Sequence, residues 1–224
     1  MRPRPRAALR LAAFVTALAA LAASSFATVV LRADVAELTD LCTRAVAGSV
    51  EAEWVEHDRA NGRIWTNWRL RVDETWLGAA DDAVVVSVPG GTADGVTQDY
   101  EGGARLAKGE RAALFLWKRD DGRLLVLGEA QGAFKVRRDA ATGADVCENA
   151  LDGLVLMDRA GKRVEAAPLR MTLDDLRARV AEAKQRREER ERAEREARER
   201  KLAAQRASAE RHAEMARGRP GGPQ

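Results

Sequence analysis

The chain has 224 residues, of which 46% are hydrophobic and 33% are charged, enough apolar material for one domain with extensions or for two small domains. Residues 1–27 contain four arginines and no acidic residue, so the formal net charge of +3 becomes −1 when they are left out. A basic nucleic-acid-binding protein therefore loses its compositional support, and we expect no nucleic-acid partner.

The first 27 residues have the pattern of a secretory signal peptide. The four arginines precede an apolar run, Leu11 to Ala23, which is shorter than the roughly 20 residues that a membrane-spanning helix needs. Ser25 and Ala27 are small residues at the −3 and −1 positions of a cleavage site. We expect cleavage near Ala27, a periplasmic or secreted protein, and no transmembrane span after cleavage. An uncleaved signal anchor is the alternative, because apolar residues resume at Val29.

Composition divides the rest of the chain in two. Residues 28–171 contain all five tryptophans and carry 24 acidic against 19 basic residues. Residues 172–224 have no aromatic residue and carry 11 acidic against 15 basic residues. We therefore predict a globular domain over 28–171, a long charged helix over 172–217, and a Pro- and Gly-rich disordered tail over 218–224.

The globular domain begins with one predicted helix. Between Asp34 and Ala45 the apolar residues recur at helical spacing, and Asp34 is a suitable N-terminal cap. The residues that form this spacing are Val35, Leu38, Leu41 and Cys42.

Beyond this helix the apolar residues recur with a period of two. Residues 46–54 and 63–76 alternate in this way on either side of a turn that ends at Gly62. Asp121-Gly122 is a hairpin signal between two apolar runs. Further short strands are predicted at 84–88, 112–117, 124–127 and 128–136. A final weak hairpin is predicted from Val155 to Val164, around Ala160-Gly161. Several short strands without regular strand–helix alternation predict a mostly β fold, a small closed barrel or a sandwich.

The C-terminal helix is predicted from a cap and from charge spacing. Thr172 is a suitable N-cap with Asp175 three residues later. An apolar edge follows that can dock on the globular domain: Leu173, Leu176 and Val180. Farther along, glutamates precede arginines by four residues, the favoured orientation for ion pairs: Glu188–Arg192, Glu191–Arg195, Glu194–Arg198 and Glu196–Arg200. Apolar heptads of a coiled coil are missing. We expect this helix to be a spacer, a contact surface for a partner, or a solvated helix with little role. Its arginines also allow a weak electrostatic contact with anionic surfaces.

Five segments of residues 29–138 resemble a family of exported bacterial domains of uncharacterised function. They are a helix–strand with a glycine (Leu41–Val50), a strand end (Val72–Gly78), a Pro-Gly-Gly turn (Val86–Gly91), a Gly-Glu strand start (Gly109–Leu116) and a closing strand (Gly128–Val136). The pattern is similar, more distantly, to netrin-like domains, which implies a small closed barrel of the OB type. Netrin-like metalloprotease inhibitors act through an N-terminal cysteine. Thr28 stands at that place here, so this route of inhibition is not carried over.

Residues for metal, cofactor or nucleophilic chemistry are scarce. His57 and His212 are the two histidines of the chain, too few for a typical zinc site. Ser49 and Ser87 are the two serines of residues 28–171, and both fall inside predicted strands without a Gly-x-Ser-x-Gly motif. We therefore predict a non-enzymatic protein with no catalytic, cofactor-binding or metal-binding residues.

The two cysteines of the chain are Cys42 and Cys147. In an oxidising compartment an even pair favours a disulfide. Two unpaired thiols are the alternative.

Trp65 is the residue that most suggests binding. By strand parity it shares a face with Arg63, Asn67 and Arg69, whereas Trp68 is expected to face the core. An exposed tryptophan beside arginines suits a protein, glycan or anionic partner. A bulge that changes the parity, or cover by the C-terminal helix, is the alternative. Two other tryptophans fit interior parity and are predicted to be core residues: Trp54 and Trp117.

We therefore expect an exported binding module of the cell envelope or secreted fraction, with a protein partner. One alternative is an envelope hydrolase or an inhibitor-like factor whose carboxylates the sequence does not single out; converging acids with raised pKa values would favour it. The other alternative is a structural spacer that acts through its C-terminal helix.

Overall fold

The computed structural model of the protein describes residues 28–217. The predicted signal peptide, residues 1–27, and the predicted tail, residues 218–224, lie outside this range. The described strands and helices, in chain order, are β1 Thr28–Leu31, α1 Val35–Leu41, β2 Arg44–Asp58, β3 Arg63–Leu77, β4 Ala83–Pro89, β5 Gly91–Ala93, β6 Val96–Gln98, β7 Arg111–Lys118, β8 Leu124–Val126, a 3-10 helix Glu129–Gly132, β9 Ala133–Arg138, β10 Asp145–Asn149, β11 Leu154–Met157, β12 Arg163–Val164, β13 Arg170–Thr172 and α2 Leu173–Arg217.

Eight strands form the main sheet, in the order β13-β10-β9-β7-β2-β3-β4-β8. Strand β8 pairs in parallel with β4 and also antiparallel with β7. Strands β1, β11 and β12 form a separate small sheet, and β5 pairs with β6. The prediction of a mostly β fold with one early helix and one long C-terminal helix is confirmed.

Helix α1 begins with the predicted cap. The Asp34 carboxylate accepts a hydrogen bond from the backbone N–H of Glu37 at 2.8 Å. The Glu37 carboxylate accepts one from the backbone N–H of Asp34 at 3.0 Å. This reciprocal pair is a capping box, which satisfies two N–H groups that the first helical turn leaves without a partner.

The pairing of β2 with β3 has extra residues in both strands. Strand β3 has an extra residue, Asp73, beside Gly48 of β2, where an added Cβ would lie 2.0 Å from the carbonyl oxygen of Arg71, so only glycine fits. Strand β2 has a bulge at Glu51. Val50 pairs with Leu70, and Ala52 pairs with the adjacent Arg69, so Glu51 has no partner across the strand.

The main sheet separates two apolar cores. Alternate residues of β2, β3, β4, β7 and β8 pack together on one face, among them Val46, Trp68, Leu70, Val86 and Leu114. The other face of β2, β7, β9 and β10 is covered by both α-helices; its buried residues include Leu38, Phe115, Phe134, Leu176 and Val180. The rings of Phe115 and Phe134 meet edge to face, with their centroids 5.8 Å apart.

Helix α2 is docked on the globular domain over its first half. Thr172 accepts a hydrogen bond from the backbone N–H of Asp175 at 3.0 Å, as the predicted cap requires. The predicted apolar edge is buried, and Arg177 forms a two-pronged ion pair with Glu74, with both N–O distances at 2.7 Å. Farther along, Arg190 pairs with Asp40 at 3.1 Å.

Beyond Arg190, the residues whose exposure the structure describes are almost all exposed. At 1.5 Å per residue, helix 191–217 extends about 40 Å. Among the predicted glutamate–arginine pairs, Glu196–Arg200 lies within ion-pair range, at 3.8 Å. No helix within residues 28–217 combines the length and apolar character needed to cross a membrane.

Two buried amides join the termini of the globular domain to its sheet. Gln131 accepts from the backbone N–H of Ala33 at 2.9 Å and donates to the carbonyl oxygen of Leu31 at 3.0 Å. Asn149 donates to the carbonyl oxygen of Gln131 at 3.0 Å and accepts from the backbone N–H of Leu169 at 2.7 Å. These bonds hold the segment after β1 and the segment before β13 in place.

Because α2 supplies core residues, truncating one of them should destabilise the whole domain. Leu176 is fully buried, and Leu176→Ala should lower the free energy of unfolding by about 2–5 kcal/mol. Leu202 on the same helix is largely exposed, and Leu202→Ala should cost about 0.5 kcal/mol or less. Urea unfolding of the two variants checks this. Equal losses would mean that α2 is not part of the core.

Candidate functional site

The four residues of the predicted binding face do not form an exposed surface. Arg63 and Arg69 are exposed. Trp65 and Asn67 are each only 1% exposed. The expectation of an exposed Trp65 is therefore wrong.

Trp65 is buried because two arginines of the turn between β7 and β8 lie over it. The guanidinium carbons of Arg119 and Arg123 are 5.4 and 5.1 Å from the centroid of the Trp65 ring, within the range of cation–π contacts. Arg123 is held there by Glu56, with N–O distances of 2.8 and 3.3 Å. This hydrogen bond also lowers the pKa of the Glu56 carboxyl. The cover thus comes from neither a bulge in β3 nor the C-terminal helix.

The exposed tryptophans are the two that were predicted to be core residues. Trp54 is 41% exposed and Trp117 is 36% exposed. The bulge at Glu51 explains Trp54: Val50 pairs with Leu70 of the first core, whereas Trp54 pairs with Asn67 on the opposite face. On β7, Leu114 and Leu116 belong to the first core, so Trp117 faces away from it.

One row of cross-strand pairs joins the two exposed tryptophans. Asn67 of β3 pairs with Trp54 on one side and with Ser87 of β4 on the other. Ser87 pairs with Leu125 of β8, which pairs in turn with Trp117. Directly paired residues point to the same side of a sheet. Trp54 and Trp117 therefore both point to the outer side of the sheet, at the two ends of a row that crosses five strands.

Two residues between the tryptophans in this row, Asn67 and Ser87, are buried and polar. The Ser87 hydroxyl donates to the Asn67 side-chain oxygen at 2.6 Å. The side-chain N–H groups of Asn67 and Trp65 are buried without a hydrogen-bond partner. Such groups are costly in a low-dielectric interior.

We call the exposed part of this face the tryptophan surface. Val85 is exposed, and Arg69 makes only a long ion pair with Glu51, at 3.5 Å. Aromatic and arginine side chains are enriched at protein interfaces. The surface consists of the exposed residues Trp54, Arg69, Val85 and Trp117 and of the half-buried Leu125.

The predicted disulfide is absent from the structure. Cys42 and Cys147 are both free and buried. Each sulfur faces a backbone oxygen instead: Cys42 that of Thr39, at 3.5 Å, and Cys147 that of Thr172, at 3.8 Å. Burial raises the pKa of both thiols to about 11, so neither is reactive at neutral pH.

Within residues 28–217, no three His, Cys, Asp or Glu side chains are grouped so that they could hold a metal ion. His57 lies near the end of β2, where its Nδ1 is 3.0 Å from the Asp94 carboxylate. The side chain of His212 lies outside the described part of the chain.

Glu129 is the carboxyl that most resembles a catalytic acid. Burial raises its pKa, and the Tyr100 hydroxyl donates to it at 2.9 Å. Its backbone has a φ of 59°, in the left-handed region, which strains a residue other than glycine. Glu129 lines none of the described cavities. The hydrolase alternative calls for acids that converge in a cleft and have raised pKa values. Two acids, Glu53 and Asp99, line one described cavity, but Glu129, the one described carboxyl whose pKa is raised, does not lie in it.

Comparison of the chain with family models, with curated proteins and with solved structures found no match. The similarity to exported bacterial domains and to netrin-like domains therefore stays a prediction.

The two classes of tryptophan should respond differently to truncation. Trp65→Ala removes a fully buried ring and should lower the free energy of unfolding by about 3–5 kcal/mol. Trp54→Ala removes a half-exposed ring and should cost about 1 kcal/mol. Thermal or urea unfolding of both variants checks this, and a larger loss for Trp54→Ala would contradict the assignment.

Glu129 should make stability depend on pH. Because its folded-state pKa is raised, the protonated carboxyl is favoured by folding, and this stabilisation is lost as pH rises through that pKa. Glu129→Gln imitates the protonated form and keeps an oxygen for Tyr100. The variant should be more stable than the wild type at neutral pH, with the difference shrinking at about pH 4. Urea midpoints at both pH values check this; a less stable variant at neutral pH would contradict it.

Proposed function

We propose that this protein is an exported, non-enzymatic binding module whose tryptophan surface contacts a protein partner. The observation that carries the proposal is the exposure of Trp54 and Trp117, both on the outer side of the main sheet. Tryptophan is over-represented among the residues that dominate binding energy at interfaces. The export rests on the signal-peptide pattern of residues 1–27.

Side-chain bonds between the strands that carry Trp54 and Trp117 and their neighbours support a binding role for the two tryptophans. Trp54 and Trp117 lie on strands whose neighbours are tied together by the Asn67–Ser87 hydrogen bond and by the Arg123–Glu56 ion pair. Side chains on a rigid sheet lose little conformational entropy when they bind. A partner would meet two preorganised aromatic contacts.

We further propose that the central strands form a small closed barrel of the OB type. In support, the pairings β7-β2-β3-β4-β8 return to β7. The row that starts at Trp54 near the end of β2 reaches Trp117, whose neighbour Leu116 pairs with Arg44 at the start of β2. Such a stagger is what closure of a tilted barrel requires.

A spacer role for α2 is the second candidate, because the residues beyond Arg190 whose exposure the structure describes are almost all exposed. A charged helix of this length sets the distance between the domain and whatever holds the helix end. The two functions predict different results when the helix is shortened.

Crosslinking capture from envelope extract tests both. The baits are residues 28–224, the same chain with Trp54→Ala and Trp117→Ala, and residues 28–190, which keep the α2 residues buried in the core. Val96→Ala, an exposed apolar residue elsewhere, is the matched control. We expect a protein captured by the wild type, the control and the shortened chain, and reduced at least tenfold by the tryptophan variant.

Two outcomes contradict the proposal. Capture that survives the tryptophan variant but fails for residues 28–190 would assign recognition to the helix. Capture that is the same for every bait would mean that the tryptophan surface is not the contact surface.

A further inference from the structure

A second site lies at one end of the first core, on the opposite face of the β2–β3 hairpin from the tryptophan surface. It is a cavity of about 400 Å³ between this hairpin, strands β4 to β6 and residues 103–106. Buried core side chains form part of its lining: Trp68, Val88, Ala104 and Leu106. Small-ligand sites are typically of this size, are apolar inside, and occur at the mouths of β-barrels.

Trp68 is a buried lining residue of the cavity. The side chain is only 2% exposed, and its indole Nε1–H has no hydrogen-bond partner among the described residues. That nitrogen has almost no accessible surface, so Trp68 offers the cavity an apolar aromatic wall.

Most polar groups around the cavity are already engaged. The Tyr100 hydroxyl donates to Glu129 at 2.9 Å. Gln98 accepts from the backbone N–H of Ile64 at 2.8 Å and donates to the carbonyl oxygen of Gly62 at 2.7 Å. The hydroxyls of Thr92 and Thr97 bond to each other at 2.9 Å. These groups shape the walls and have little left to offer a ligand.

The charges that remain are two carboxylates and one guanidinium. Glu53, Asp99 and Arg105 are exposed residues of the cavity lining. Within the described part of the chain, none of the three makes an ion pair or a side-chain hydrogen bond. Glu53 of β2 pairs with Trp68 of β3, so the two side chains lie on the same face of the sheet. The free groups therefore carry a net charge of −1 beside an aromatic side chain.

We propose that this cavity binds a primary amine on an apolar stem, such as a lysine side chain. The ammonium group would pair with Glu53 and Asp99, and the apolar stem would pack on Trp68, Val88 and Leu106. Arg105 opposes an added positive charge and so limits the affinity. The inference does not rest on the tryptophan surface being a contact surface.

NMR titration of the full mature chain tests the site. The readout is the assigned indole N–H resonance of Trp68, followed during addition of N-acetyl-lysine amide. N-acetyl-norleucine amide, which has the same stem without the charge, is the matched probe. We expect a saturable shift with the lysine probe and binding at least threefold weaker with the norleucine probe. Butylamine separates the sources: a shift with it too means that free amines suffice, whereas a shift with the lysine amide alone means that the ligand is a lysine in a polypeptide.

Variants locate the contact. Glu53→Gln and Asp99→Asn should each weaken binding of the lysine probe about twofold to fivefold, and Arg105→Gln should strengthen it. Glu51→Gln is the matched control, because Glu51 lies on the same strand and pairs with Arg69 and Arg71 on the other face. No saturable shift of Trp68 in the wild type would overturn the proposal. Equal binding of the norleucine probe, or an equal effect of Glu51→Gln, would overturn it as well.

Discussion

The bulge at Glu51 sets the side-chain direction of the second half of β2, and the candidate site depends on it. Because two residues of β2 span one step of β3 there, Ala52 and Trp54 point to the outer face, on the same side as Arg69. Without the extra residue, every later side chain of β2 would change sides. Trp54 would then enter the first core, and Glu53 would leave the cavity that contains Trp68. One unpaired residue thus determines both proposed sites.

A second constraint holds the ends of the domain to the sheet. Gln131 and Asn149 use their side chains to bond backbone groups of three separate segments, so removing either amide would leave buried groups without partners. Residues 128–132 need particular backbone geometry for this. Gly128 has a φ of 65°, and a Cβ at Gly132 would lie 2.3 Å from the carbonyl oxygen of Leu127. The closing pattern of Gly128–Val136 therefore reflects packing.

Local signals in the sequence were sufficient for most elements. Asp34 and Thr172 cap the two helices as predicted, and the period-two segments are strands. Strand parity placed Trp65 on the right face of β3. It could not show that Arg119 and Arg123, more than fifty residues away, cover the ring. Exposure depends on such long-range contacts, whereas parity is a property of one strand.

Other errors have similar causes. A β-bulge adds one residue to a strand, and no particular residue type is needed to form it. The alternation of apolar residues along β2 therefore predicted, wrongly, that Trp54 is a core residue. The disulfide was predicted from an oxidising compartment and an even number of cysteines. Neither of these shows where each sulfur lies in the fold. The charge pattern correctly predicted a long helix, but not that its first half completes a core or that Arg177 fastens it to Glu74.

The central claim is that Trp54 and Trp117, and not Trp65 and Trp68, face solvent. Hydroxyl-radical footprinting of the mature chain, read by mass spectrometry for each tryptophan, tests it most directly. The structure predicts fast oxidation of Trp54 and Trp117 and strong protection of Trp65 and Trp68. Fast oxidation of Trp65 with protection of Trp54 would contradict the bulge, the arginine cover and the tryptophan surface together.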